Sequence, residues 1–282
     1  MSRRFLVNVV LALLVAALGA WMTLKPGSKG APEFALSDKK PAAARSIRIE
    51  RKGLPPFVLL KSGGRWQQTE PFLARTDNTQ AQRLLDLLAA KSKTVFPAED
   101  LARFELDQPF AKVTIDDRVF AFGTVNTLTG EQYVLSGKQV FVLSPVFGYG
   151  LPTQVDSMTT HMLLGDDESP IAFELGGGSR MDSKDGKWQW SPATPATTKL
   201  SQDDFARWLD DWRFASSLAT RPATSSKGGE LVQVTMKDGK KVEFRILSRE
   251  PAFIVRRIDE KLEFVFAADR AQRLLSPPTA GQ

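Results

Sequence analysis

Residues Phe5 to Leu24 (FLVNVVLALLVAALGAWMTL) run for twenty positions without a charged side chain, and Arg3 and Arg4 stand directly before them. A helix that crosses a bilayer needs about 20 apolar residues, so the run has the length of a membrane anchor. From Lys25 onward the sequence is of ordinary water-soluble character. The chain therefore reads as one anchor and one long body on a single side of a membrane. Arg3 and Arg4 are the positive residues that stay in the cytoplasm, which places the body outside. In a bacterium this is a single-pass protein of the cell inner membrane, with its C-terminal part in the periplasm. Trp21 falls where an interfacial aromatic fixes the outer end of such a helix. A cleavable secretory signal is the competing reading, with Ala17 and Gly19 as the small residues before a cut. The apolar run exceeds the roughly 7–15 residues of a signal core, which favours a retained anchor. A buried helix of a soluble protein fits poorly, because the run has no polar face.

The charge points away from nucleic acid once it is divided. The 282 residues carry 38 bases and 32 acids. Setting aside Arg3, Arg4 and Lys25 leaves 35 bases against those 32 acids, and no run of bases interleaves with aromatics. With no cysteine in the chain, disulfides, thiol catalysis and cysteine metal sites are excluded, and the fold must stand on its core.

Residues 25–45 are rich in Pro, Gly, Ala and Lys and read as a flexible tether; a docked arm, held by Phe34 and Leu36, is the alternative. From Ser46 short alternating runs bounded by turn residues predict strands: Ile47–Ile49, Phe57–Leu60 and Arg65–Gln67. Ala81, Leu84, Leu85 and Leu88 then share one helical face, with Asp77 and Gln80 spaced as a capping box. A strand near Lys93–Phe96 and a helical turn at Leu101–Leu106 precede two hairpins, from Val113 and from Tyr133. Residues 151–169 form a connection. After Pro170 the order begins again: a strand at Ile171–Leu175, Trp188-Gln189-Trp190, and a helix capped by Ser201 with Phe205, Trp208, Leu209 and Trp212 on one face. Two hairpins, Val232–Leu247 and Phe253–Phe266, and a terminal helix complete the chain.

Three landmarks recur at nearly one spacing. Trp66 to Trp188 is 122 residues, Val113 to Val234 is 121 and Tyr133 to Phe253 is 120. This predicts a tandem duplication. The expected fold class is α+β: a transmembrane helix, then two similar units, 46–150 and 170–282, each a mostly antiparallel sheet with a packed helix.

The stretch PFAKVTIDDRVFAFGTVNTLTGEQYVLSGKQVFVLSP (Pro109–Pro145), following Leu106-Asp107-Gln108, and then LLGDDESPIAFEL (Leu163–Leu175) resembles an uncharacterised bacterial family, domain-of-unknown-function family 4340. The likeness covers roughly residues 70 to 250 and rests on the hairpins, the glycine after VFAF and the Tyr-Val pair. It implies a membrane-anchored, extracytoplasmic protein. Some relatives accompany the gliding-type ABC transporters, which implies an auxiliary envelope role. The family supplies no catalytic residues to carry over.

The residues themselves offer little chemistry. His161 is the only histidine, so any triad must use it and a multi-His metal site is excluded. No G-x-S-x-G elbow and no P-loop is present; Gly177-Gly178-Ser179-Arg180 reads as a turn. Asp166, Asp167 and Glu168 lack the spacing of a calcium loop and read as a solvated linker. Asp203 and Asp204 suit the first turn of a helix. The five tryptophans beyond the anchor, Trp66, Trp188, Trp190, Trp208 and Trp212, are the candidate ligand or partner surface, with core packing as the alternative.

The resulting expectation is a non-enzymatic interaction protein without a cofactor or metal. Its partners would be inner-membrane lipid and a membrane or envelope protein, such as ABC transporter subunits. A glycan- or wall-binding module using exposed tryptophans is the alternative, and a hydrolase of envelope polymers ranks last.

Overall fold

The computed structural model describes residues 3–24, 32–192, 200–224 and 228–276; along the first helix it describes the side chains of Asn8 and residues 10–21. That helix, α1, spans Arg3–Leu24. Each of its described side chains is exposed. Among the described residues no helix is long and apolar enough to cross a membrane; the described apolar stretch of α1, residues 10–21, is shorter than the about 20 residues a span needs. The anchor positions Phe5 and Leu24 and the topology arginines Arg3 and Arg4 have side chains outside the described residues. Trp21 is exposed.

Residues 25–31 of the expected tether lie outside the described residues. Residues 32–45 are not a tether. β1 (Phe34–Ala35) pairs with β6 (Lys91–Ser92), Leu36 and Ala44 are buried, and Ser136 Oγ donates to the Leu36 carbonyl at 3.2 Å. Asp38 pairs with Arg118 at 2.6 Å and Lys39 with Asp117, so the segment straps the hairpin turns of the sheet behind it.

That first sheet uses β2 (Ser46–Arg51), β3 (Phe57–Ser62), β4 (Arg65–Glu70), β5 (Ala74–Arg75), β7 (Val95–Pro97), β8 (Ala111–Ile115), β9 (Arg118–Val125), β10 (Gln132–Ser136) and β11 (Gln139–Leu143). Its order is β5-β4-β3-β2-β8-β9-β10-β11-β7. A second sheet uses β12 (Pro170–Glu174), β13 (Arg180–Lys184), β14 (Lys187–Ser191), β15 (Ala219–Pro222), β16 (Glu230–Met236), β17 (Lys241–Ser248), β18 (Ala252–Arg257) and β19 (Leu262–Ala267). Its order is β14-β13-β12-β16-β17-β18-β19-β15. Apart from β5, the two orders coincide strand for strand. Helix α2 (Asn78–Leu85) falls between β4 and β7 in sequence, as α4 (Gln202–Arg213) falls between β14 and β15.

The three landmark pairs do not all sit alike in their strands. Val113 faces Ile49 and Phe120 across its neighbours, and Val234 faces Phe173 and Val242. Trp66 and Trp188 are each the second residue of their strand. Tyr133 and Phe253, however, point to opposite faces: Tyr133 packs with Phe104 outside the first core, while Phe253 is inside the second. A strand alternates with period two, so one residue of slip moves every side chain to the other face. Val134 and Val255 each face inward between two core strands.

Each core lies on one face of its sheet. In the first, Ala81, Leu84 and Leu85 of α2 cover Ile47, Ile49, Phe57 and Phe120. Asp77 caps α2, accepting from the Thr79 and Gln80 N–H groups; the capping box does not close, because Asp77 N–H donates to the Met158 carbonyl instead. In the second, Phe205, Trp208 and Trp212 of α4 cover Phe173, Val234 and Phe244. Here Ser201 and Asp204 do form a reciprocal capping box. Each fully buried Phe is worth roughly 1.5–3 kcal/mol of transfer free energy, which lets both cores stand without disulfides.

Candidate functional site

The tryptophans divide. Trp66, Trp208 and Trp212 are buried, so they belong to the cores and present no ligand surface. Their positions explain this: Trp66 alternates inward on β4, and Trp208 and Trp212 sit one turn apart on the buried face of α4. Phe173 is the hub, with ring centroids 4.6 Å from Trp208 and 5.1 Å from Trp212. The Trp212 indole donates to the Leu274 carbonyl at 3.0 Å. Trp188 and Trp190 are half-buried against the same core, and Trp188 lines a cavity of about 270 Å³ with Leu209, Asp210 and Arg213. Gln202 closes the edge of their strand: its side-chain amide donates to the Trp188 carbonyl at 3.0 Å and accepts the Trp188 N–H at 2.9 Å.

His161 lies between an acceptor carbonyl and a buried carboxylate. Nδ1 lies 3.0 Å from the Ser217 carbonyl and Nε2 lies 3.5 Å from Asp156 Oδ2. Asp156 is itself buried and accepts the Thr220 N–H at 2.9 Å.

In the acidic stretch 166–168, Asp166 and Asp167 are exposed, as in a solvated linker, but Glu168 is not. Glu168 meets the Arg257 guanidinium at two points, Nη1–Oε2 at 2.7 Å and Nη2–Oε1, while Asp167 pairs with Arg65 at 3.2 Å. Arg257 also donates to the Leu163 carbonyl at 2.9 Å and to Asp259 Oδ1 at 2.9 Å. Arg75, from the first sheet, donates to the Met162 carbonyl at 2.7 Å and holds Nε 2.6 Å from Glu260 Oε1. Phe72 and Ala74 beside it pack into the second core. The sheets therefore meet through a charged clasp, with apolar residues of the first inserted behind it.

Electrostatics sort the members of this clasp. Burial pushes the Glu168 carboxyl up, but the Arg257 hydrogen bonds, the Gly165 N–H and Lys240 outweigh it and hold the carboxyl at about 2. Asp259 is lowered as well: Arg257 and Lys240 overcome its burial. Glu260 goes the other way, because burial outweighs the attraction of Arg75 and Arg257. Its Oε2 has no hydrogen-bond partner among the described residues. No sequence period marks these residues as neighbours; a buried arginine on a core face, Arg257, is visible only as an interruption of an apolar alternation.

Three cavities follow one another along the first sheet, the second sharing residues with each of the other two. One, of about 450 Å³, runs from Arg83 and Gln80 of α2 to Tyr149, Thr153 and His161. A second, of about 400 Å³, shares Tyr149 and Thr153 and continues past Gln132 to Arg51 and Phe110. The third, of about 430 Å³, shares Arg51 and Phe110 and ends at Lys52 and Lys112. Tyr149 belongs to α3 (Val146–Tyr149), and Gly148 in that turn lets the backbone sit directly on the buried Gln132 side chain. The glycine after VFAF, Gly123, has a similar purpose: a Cβ there would overlap the Phe104 carbonyl oxygen and the Leu106 side chain. Among the described residues no group of three or more His, Cys, Asp or Glu side chains is placed to hold a metal ion.

These features define a class: an α+β protein of two antiparallel sheets with one strand order, clasped by buried ion pairs. The chain belongs to the family described as Domain of unknown function (DUF4340), whose model matches residues 66–233. The match begins in β4 of the first sheet and ends in β16 of the second, so it takes in the clasp and the connection. No curated protein and no solved structure matches the chain.

Proposed function

We propose that this chain is a non-enzymatic, membrane-anchored periplasmic interaction protein, an auxiliary component of an ABC-type transporter or envelope assembly. One observation carries the reading: α1 exposes apolar side chains at every described position except Asn8, and a helix apolar all round belongs in a membrane or in a partner. The full run Phe5–Leu24 supplies the span length that its described part lacks. Arg3 and Arg4 orient it with the body outside the cytoplasm. Seven residues separate Leu24 from Pro32, where the described body begins; at about 3.5 Å each they reach at most about 25 Å. The body is thus kept close to the bilayer, within reach of an embedded partner. The coincident strand orders support an origin by tandem duplication, with two similar units displayed there. The family resemblance supports the transporter connection.

Crosslinking in intact cells, followed by identification of the bound proteins, tests this. Recovery of transporter or other membrane-embedded subunits is the expected result, and recovery of soluble proteins alone overturns it. The second reading, a glycan-binding module, now rests on Trp188 and Trp190 and on the cavity beside Trp188. Loss of binding to envelope glycan on Trp188→Ala, with the fold retained, would favour it.

A further inference from the structure

The cavity of about 450 Å³ between α2 and the connection falls within the roughly 300–1,000 Å³ usual for small-molecule sites. Its floor is polar. Asp156 and Thr159 are buried there, and the half-buried His161 stands beside Asp156. Asp156 accepts the Thr220 N–H through Oδ2, at 2.9 Å; its Oδ1 accepts no hydrogen bond among the described residues. The rim carries the exposed side chains of Arg83, Tyr149 and Gln154. Arg83 reaches only the Gln80 side chain, at 3.4 Å. The Tyr149 hydroxyl and the Gln154 side-chain amide make no hydrogen bond among the described residues. Asp77 caps α2 through Oδ1, which leaves its Oδ2 without a partner among them.

These groups sort the ligands the cavity can hold. Two carboxylates, Asp77 and Asp156, stand against one guanidinium, Arg83, so an anion meets more repulsion than attraction. A metal ion meets that guanidinium, and among the described residues no group of three or more His, Cys, Asp or Glu side chains is placed to hold one. An apolar ligand would cover Asp156 Oδ1 without bonding it, which is costly for a carboxylate. A hydroxyl meets every demand at once, because it donates to a carboxylate and accepts from a guanidinium or an amide. Tyr149 adds a ring that is 76% exposed, whose negative face attracts the C–H groups of a saturated ring.

We propose that this cavity binds a neutral carbohydrate. Sugar hydroxyls donate to Asp156 Oδ1 and Asp77 Oδ2, others accept from Arg83 and Gln154, and one sugar ring stacks on Tyr149. The site is separate from the tryptophans, none of which lines this cavity. It adds a small ligand to the partner reading and does not depend on it.

The test titrates the full chain, in a detergent without a sugar headgroup, with cellobiose, maltose and di-N-acetylchitobiose by isothermal calorimetry. Binding of at least one is expected, with an affinity that changes less than twofold on adding salt, since a neutral ligand is not subject to screening. Tyr149→Ala, and separately Arg83→Ala combined with Gln154→Ala, should each weaken it at least tenfold with unchanged circular dichroism. Tyr149→Phe keeps the ring and should weaken it less than threefold. Phe214→Ala, at the exposed end of α4, should change it less than twofold. Absence of binding by all three disaccharides overturns the proposal, and so does binding that survives Tyr149→Ala. Loss on Trp188→Ala with Tyr149→Ala without effect puts the sugar at the tryptophan cavity and overturns it as well. Dialanine is the rival ligand, a zwitterion able to pair its two ends with Arg83 and Asp156. Displacement of the disaccharide by dialanine at equal concentration overturns the neutral-carbohydrate reading of the cavity.

Discussion

Arg75, in the last strand of the first sheet's edge, holds its Nε 2.6 Å from Glu260 Oε1 in the final hairpin of the second sheet. The same arginine donates through Nη2 to the carbonyls of Met162 and Leu163 in the connection, and Leu163 also accepts from Arg257. One side chain therefore ties first sheet, connection and second sheet together. Removing one partner of a buried pair leaves the other charged and unsatisfied, which commonly costs about 3–5 kcal/mol. Arg75 and Glu260 remain partly exposed, so Arg75→Ala is expected to cost about 2–3 kcal/mol. Urea unfolding measures it. Glu260→Gln should cost less, because burial already favours the neutral form of that carboxyl.

Acid should loosen the clasp through Glu168. Its folded-state value of about 2 lies below the ordinary 4.5, so its contribution is complete above about pH 4.5 and is lost as pH falls toward 2. Asp259 is lowered and acts in the same sense. Glu260 is raised and opposes them: its contribution is present at low pH and is lost as pH rises through its folded value. Thermal melts between pH 6 and pH 3 should show falling stability in the native chain. Glu168→Gln should lower stability at pH 6 and flatten that slope.

Gly123→Ala is expected to destabilise by about 1–3 kcal/mol, the usual range for overpacking. The atom it would meet is the Phe104 backbone carbonyl, which cannot rotate away as a side chain does. Gly148→Ala should cost less, since its nearest neighbour is the Gln132 side chain. Denaturation midpoints of the two variants order them.

Gln202→Ala should expose the Trp188 N–H and carbonyl on the edge of β14. An unpaired strand edge is a template for another strand. In detergent, light scattering should find more concentration-dependent association in the variant than in the native chain, while Gln202→Asn, one methylene shorter, should associate to an intermediate extent.

Local features were legible in the sequence because they depend on neighbours along the chain. Strand periods, the Ser201 cap of α4 and the α2 face are all set within a few residues by pleat, helix pitch and hydrogen-bond geometry. The apolar run at Phe5–Leu24 is likewise a property of composition alone. The pairing of Tyr133 with Phe253 misled because aromatic type was matched without regard to strand face. What the tertiary structure decided was which polar groups meet. Arg75, Glu168, Arg257 and Glu260 are separated by up to 185 positions, and nothing in their local context differs from that of a solvated charge. Only when the sheets close do burial and mutual attraction act together, moving the Glu168 and Glu260 carboxyls in opposite directions.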